Sequence, residues 1–480
     1  MNGKDTMAAP PAPAHTRDQL FIGGTWVPSA PVTPVHSPAT EEIVGYIPSA
    51  SMAEIDQAVA AARSRCDAWA ATLPAERARL LRRLADEIDT RRADFAAAIE
   101  AELAAPRATI ERIHVGLPVT VLRATADILE HFAFEEQVGN STILREPIGV
   151  VAAITPWNYP LHQITSKAGP AFAAGCTVVL KPADLTPLTA FLFAEAVQAA
   201  GFPDGVFNLV TGPGETVGEA LALHKDVDMV SFTGSVAVGR TVAKDAANTI
   251  KRVSLELGGK SASIIAQDVD GDLLATAVKV SVGNAFLNSG QTCSAWTRLL
   301  VPEQKYEQVK ALIAEAASKY QYGSRIGPMI SAAHRKRVLG YMASAESEGF
   351  ETIVGGTSAT GLPDKGWYVA PTVYGRVAPG STIEQEEVFG PVLCVITYRS
   401  EDEAVAIANG TVYGLAGGVW AGDPKRAMAI ARRMKTGQVD LNGGAYNPIA
   451  PFGGYKQSGT GRELGAPGIE EFLEYKAVQQ

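Results

Sequence analysis

Cysteine is scarce in this chain of 480 residues: there are four, Cys66, Cys176, Cys293 and Cys394, and no two form a CxxC pair. That spacing fits neither a disulfide framework nor a cysteine-held structural zinc, and it suits a reducing compartment. Charge of one sign is not concentrated anywhere. The formal net charge is −9, and no block of five or six basic residues occurs. A nucleic-acid partner, which needs a concentrated Lys/Arg face, is therefore not expected. No apolar run reaches the roughly 18 residues of a membrane-spanning helix, so no membrane partner is expected either. The first residues, MNGKDTMAAPPAPAHTRDQ, lack the apolar stretch of a secretory signal and carry one Arg and two Asp, poor for a transit peptide. Their Ala/Pro content reads as a mobile tail over residues 1–20, and the expected location is cytoplasmic.

What is present is a globular composition, 46% hydrophobic and 19% charged, in a chain long enough for two or three domains. Residues 21–26 (FIGGTW) and 42–46 read as short strands. From residue 52 to about 102 apolar residues recur at three- and four-residue spacing, and Pro74 divides the stretch into two helices. Short β-branched runs then stand at residues 150–154, 177–180, 206–210, 229–232 and 252–256. Helical stretches lie between them, at 187–200, stopped by Gly201 and Pro203, and at 236–248. That rhythm means βαβ units and a parallel sheet covered on both faces. A second alternation from residue 261 to about 439 reads as a second α/β domain, with helices near 273–284 and 304–320. Ligands of such sheets bind beyond the carboxyl ends of the strands, so the residues after each strand carry the interest.

Five segments fall there. TPWNYP (155–160) presents the Asn158 amide, which can donate to a developing oxyanion or serve as an ordinary turn residue. LKPAD (180–184) offers Lys181 and Asp184 to ribose hydroxyls, or as a solvated charge pair at a helix start. FTGSVAVG (232–239), with Gly234 and Ser235, runs a strand through a turn into a helix whose N-terminus can hold a pyrophosphate. It is not a GxGxxG fingerprint, since Val236 stands at the middle glycine. SLELGGK (254–260) ends a strand on Glu256, a candidate general base if desolvated, or a carboxylate capping the next turn. NSGQTCSAWTR (288–298) sets Cys293 between a helix and a strand, as a nucleophile or as a small buried hydrophobe. Singly, each bland reading competes. Together they supply nucleophile, oxyanion donor, base and dinucleotide grip, a complete set for oxidising an aldehyde without a metal.

From about residue 21 to 480 the chain also resembles the aldehyde dehydrogenase superfamily of the NAD(P)-dependent, non-acylating kind. The resemblance rests on LELGGK, GQTC, EEVFGPV (386–392) and PFGGYKQSGTGRELG (451–465), long motifs in the right order. It implies Cys293 as nucleophile, Glu256 as the base for thioester hydrolysis, and Asn158 with the Cys293 N–H as the oxyanion hole. It implies NAD as cofactor, with NADP left open. Lys181 and Asp184 would meet the adenosine ribose, Gly234 and Ser235 the pyrophosphate, and Trp157, Glu387 and Phe389 the nicotinamide end. Lys167 and Glu463 match a pair that relays protons from Glu256. Tyr159, Gln163, Ser166, Thr292, Ser294, Tyr446 and Phe452 align around a tunnel for the small-molecule aldehyde.

The implied fold is a Rossmann-like parallel-sheet cofactor domain (21–127 and 147–258) with a second α/β catalytic domain (259–445). A small two-stranded β oligomerisation arm with the C-terminal segment (128–146 and 446–480) would join a homodimer or homotetramer. Three departures stand out. Asp184 replaces a commoner Glu, shortening the reach to the ribose. ELAAP (102–106) lacks the usual Gly-Lys, in a loop expected near the tunnel mouth. Gln163 and Ser166 replace bulkier apolar residues, giving a wider and more polar tunnel. Two alternatives are a CoA-acylating semialdehyde dehydrogenase, disfavoured by the presence of Glu256, and a non-catalytic scaffold, disfavoured by Cys293 and Asn158.

Overall fold

The computed structural model describes residues 15–480, and the β-branched runs form the strands expected of them. Val150–Ile154, Thr177–Lys181, Phe207–Leu209, Met229–Thr233 and Arg252–Glu256 lie side by side and parallel. Their side chains alternate between two cores. Val151, Ala153, Val178 and Leu180 face one layer of helices, and Val150, Ala152, Ile154 and Val179 face the other. Such strands are apolar throughout because both faces are covered. Each fully buried Val or Leu contributes about 1.5–3 kcal/mol, which holds the strand ends in place.

The sheet has eight strands, and its edges are antiparallel. On one side the hairpin of Gln19–Ile22 and Thr25–Pro28 adds to Phe207–Leu209. On the other, Gly459–Thr460 pairs with Leu255 and Glu256, so the C-terminal segment returns to the first domain. A seven-stranded sheet builds the second domain, with Arg298–Pro302 between Ala262–Ile265 and Val392–Tyr398. Its core is separate, around Trp420, Tyr374 and Phe286.

The structure corrects four sequence expectations. Residues 52–103 form three helices, Met52–Ala70, Pro74–Thr90 and Arg92–Leu103, because the backbone leaves helical geometry at Arg91. The expected tail is tied down from residue 15: His15 and Arg17 donate backbone N–H groups to Val44 and Tyr46, and Leu20 is fully buried. Residues 1–14 lie outside the described ones. The arm is a three-stranded antiparallel sheet, Leu473–Gln479 pairing with Ser141–Pro147 over its whole length and Glu135–Val138 beyond. Residues 128 and 129 close the helix Leu117–Leu129, whose apolar face packs on the core, and do not belong to the arm. Among the described residues no helix is long and apolar enough to cross a membrane.

Candidate active site

Cys293 follows a short 3-10 turn, Leu287–Gly290, and precedes the strand Arg298–Pro302. Asn288 and Ser289 in that turn have φ of 51° and 59°, a region that side chains with a β-carbon avoid. Such residues cost about 1–3 kcal/mol each and persist only where the surroundings over-determine them. Here they do. The Asn288 side-chain amide donates to the Asn158 carbonyl at 2.9 Å, and the Ser289 hydroxyl bonds both the carbonyl and the N–H of Gly327. Gln291 donates to the Pro328 carbonyl and accepts from the Ile330 N–H. The turn is thereby pinned to both domains.

Three motifs far apart in sequence meet around it. An added β-carbon at Gly259 would lie 2.4 Å from the Cys293 carbonyl, and one at Gly258 would lie 2.2 Å from the Glu387 carboxylate. At Gly259 the obstacle is backbone, so only glycine permits the approach, while Gly258 leaves room for the Glu387 carboxylate. The Glu387 carboxylate accepts the Gly259 N–H at 2.9 Å, and burial raises its pKa to about 7. Phe389, beside it, takes φ of 58°, and its ring meets Trp157 edge-on at 5.4 Å. His334 completes that corner: its ring meets Trp157, and its Nε2–H donates to the Phe389 carbonyl.

Glu256 is buried at the end of its strand, and neither carboxylate oxygen has a hydrogen-bond partner. Burial first, then the Glu463 charge, pushes its pKa well above the ordinary carboxylate range. Glu463 is itself held by Lys167 at 2.5 Å, inside the protein. Among the described residues Cys293 is the one free cysteine that is not buried. Loss of water around its sulfur, and then the neighbouring Glu387, Glu256 and Glu463, raise its thiol pKa. The Asn158 side-chain amide donates one N–H to the Gln291 carbonyl at 3.1 Å, which fixes its plane beside the cysteine turn and leaves the second N–H.

A cavity of about 600 Å³ opens onto Cys293. Tyr159, Gln163, Thr292, Ser294, Tyr446 and Phe452 line it, as the sequence suggests, and Tyr159 and Thr292 share a hydrogen bond of 2.6 Å. Ser166 does not line it. It sits one turn deeper in the helix Pro160–Ala174, and its hydroxyl turns back to the His162 carbonyl at 2.8 Å. The sequence reading missed Arg112, His162, Trp296 and Asp440, which also line the wall. His162 was within reach, since Tyr159, His162 and Gln163 are spaced to share one helix face. None of residues 102–106 lines the cavity. The Glu102 carboxylate is buried and accepts the Leu188 and Thr189 N–H groups at 2.6 and 3.2 Å, capping the helix Leu188–Ala200.

The other predicted residues lie at the carboxyl ends of the first sheet. Lys181 ends its strand buried, 3.4 Å from the partly exposed Asp184. The loop between that strand and its helix is tied to the site by the Thr186 hydroxyl, which donates to the Trp157 carbonyl. Ser235 is the N-cap of the helix Val236–Ala246, accepting the Val238 N–H, and Gly234 donates to the Glu256 carbonyl.

The aldehyde dehydrogenase family matches residues 26–478. The chain belongs to that family. A 3-succinoylsemialdehyde-pyridine dehydrogenase of a Pseudomonas species is 43% identical over 474 residues, covering 96% of this chain and 98% of the relative. Among solved structures, a cysteine-to-alanine mutant of aldehyde dehydrogenase C from Pseudomonas syringae, in complex with NAD+ and octanal, is 45% identical with a TM-score of 0.94. The match covers 98% of each chain. A Mycobacterium tuberculosis aldehyde dehydrogenase complexed with NAD+ is 42% identical, with a TM-score of 0.94 over 98% of this chain and 99% of that one. The likeness of this aldehyde dehydrogenase to its relatives extends over both sheets and the arm.

Proposed function

We propose that this aldehyde dehydrogenase uses NAD+ to oxidise an aldehyde to its carboxylic acid through a thioester on Cys293, which water activated by Glu256 hydrolyses. The observation that carries this reading is a thiol on the cavity wall, Cys293, within electrostatic reach of the buried Glu256 carboxylate, whose oxygens are both unpaired. An orphaned buried carboxylate costs stability and is retained where it serves as a base.

The residues present fit NAD+. Lys181 and Asp184 would hold the adenosine ribose, and the N–H groups of Ser235 and of the first turn of Val236–Ala246 the pyrophosphate, with Gly234 giving it room to approach the backbone. Glu387, Trp157 and Phe389 would hold the nicotinamide end. When bound, NAD+ supplies the hydride acceptor. Residues 21–127 and 147–258 then form the cofactor domain and 259–445 the catalytic domain. The exposed strand Leu473–Gln479 with Ser141–Pro147 is the joint of a homodimer or homotetramer.

The chain's own residues act in order. The Cys293 thiol gives up its proton to water in the cavity, and the thiolate sulfur attacks the carbonyl carbon of an aldehyde held between Tyr159, Phe452 and Tyr446. The free N–H of Asn158 and the backbone N–H of Cys293 stabilise the alkoxide that forms. After oxidation to the thioester, Glu256 takes a proton from water, and the hydroxide releases the acid. Lys167 and Glu463 pass that proton toward solvent. The test is NADH formation by the purified chain on a panel of aldehydes, without added CoA. A requirement for CoA would contradict the hydrolytic step.

Asn158→Ala is expected to lower kcat by about 10²–10³, equivalent to about 3–4 kcal/mol for one oxyanion donor. The KM for NAD+ should hold. A defect confined to the aldehyde KM would make Asn158 a substrate-positioning residue.

Cofactor choice rests on Asp184. Its carboxylate accepts from a ribose 2′-hydroxyl and repels a 2′-phosphate, while Lys181 attracts that phosphate and the open rim screens the clash. The balance favours NAD+ over NADP+ by about tenfold in kcat/KM, about 1.4 kcal/mol. Asp184→Ser should raise kcat/KM for NADP+ and weaken use of NAD+. Equal use of NADP+ by the unaltered enzyme would refute Asp184 as the discriminating acid.

A further inference from the structure

Among the described residues Arg112 is the only Lys or Arg on the wall of the cavity that opens onto Cys293. Its neighbours in the helical layer are all engaged. Arg107 pairs with Glu111 and Glu100, Arg92 with Asp89, and Arg123 with Asp86. Arg112 is exposed, and its guanidinium has no hydrogen-bond or ion-pair partner among the described residues. Being both exposed and part of the wall, it marks the mouth.

The backbone sets it there by an unusual device. Residues Ile110–Gly116 wind as a π-helix, with the Leu117 N–H donating to the Arg112 carbonyl five residues back. Such wide turns place an extra residue in a helix and occur frequently at functional sites. Arg112, Ile113 and Leu117 all reach the wall.

The carboxylates on the same wall do not answer this charge. Glu463 is taken by Lys167 at 2.5 Å, and Asp440 accepts the Gln438 amide at 3.0 Å while burial raises its pKa. Deeper in, Gln163 is 6% exposed, and its side-chain carbonyl is unpaired, as is Nδ1 of His162. The wall therefore offers polar contacts to a substrate that runs from Cys293 to the mouth, and about 600 Å³ is enough for one.

We propose that Arg112 is a specificity-determining residue that selects aldehydes bearing a carboxylate at the end remote from the carbonyl, the ω-oxo carboxylates. Arginine holds a carboxylate through two parallel N–H donors, a charge-assisted pair stronger than a neutral hydrogen bond. The inference rests on the aldehyde-oxidising reading above and names the substrate class of that site.

The test is steady-state NADH formation with straight-chain alkanals, ω-oxo carboxylates and ω-amino aldehydes of matched chain lengths. The expected result is a kcat/KM at least about tenfold higher for the best oxo acid than for its alkanal, about 1.4 kcal/mol. Arg112→Gln should lower that ratio about tenfold through KM, Arg112→Lys should keep part of it, and added salt should reduce it. A wild-type ratio at or below one, a preference for the amino aldehydes, or a ratio unmoved by Arg112→Gln would overturn the proposal. Oxidation of alkanals alone would leave the aldehyde dehydrogenase reading standing while removing this one. Turnover of no aldehyde at all would overturn both.

Discussion

Cys293→Ala is expected to abolish aldehyde-dependent NADH formation, by at least about a thousandfold, the scale on which loss of a nucleophile acts in other covalent enzymes. No other thiol can replace it, because Cys66, Cys176 and Cys394 are buried away from the cavity. The substitution removes one sulfur at a partly exposed position, so the fold and the NAD+ grip proposed at Lys181, Asp184 and Ser235 should survive. Turnover measured beside an NAD+ titration separates the two effects. Retention of more than about a few per cent of wild-type turnover would sink the covalent mechanism.

Glu256→Gln should separate the halves of the reaction. A burst of NADH near one equivalent per active site should precede turnover slowed by about 10²–10⁴, the usual contribution of a general base. Rapid-mixing absorbance resolves the two phases. Loss of the burst as well would assign Glu256 to activation of the thiol. The substitution should not harm the fold. Burial and Glu463 raise the Glu256 pKa, so the folded chain binds a proton there that the unfolded chain has released. Stability is therefore lost as pH rises from the ordinary carboxylate range through the raised value. Glutamine escapes that loss, so the variant's Tm should match or exceed the wild type at neutral pH. For the wild type, hydrolysis should quicken with pH as Glu256 deprotonates.

Much of this site is legible in the sequence because the parallel sheet is. Val150–Ile154 and Arg252–Glu256 fall on the expected residues, since a strand buried on both faces is a continuous β-branched run bounded by Gly and Pro. Once the strands are placed, Asn158, Lys181, Ser235 and Glu256 follow at their carboxyl ends. What escaped has no local signature. Gly459–Thr460 joins the first sheet through two residues, too few for a pattern. The break at Arg91 contains neither Gly nor Pro. Ser166 continues the helix face of Tyr159 and Gln163, but the cavity ends a turn earlier. Arg112 looks like any surface arginine until the π-helix brings it to the wall. The left-handed Asn288 and Ser289 are set by partners about 40 and 130 residues away in sequence, which spacing alone does not disclose.

The covalent intermediate itself can be weighed. Glu256→Gln enzyme mixed with NAD+ and an aldehyde, quenched in acid within the burst and digested, should yield a Cys293 peptide heavier by the acyl group less one hydrogen. The modification should be lost on treatment with hydroxylamine, as a thioester is. NADH formed in the burst with an unmodified Cys293 peptide, or with the acyl group on another residue, would contradict the account at its centre.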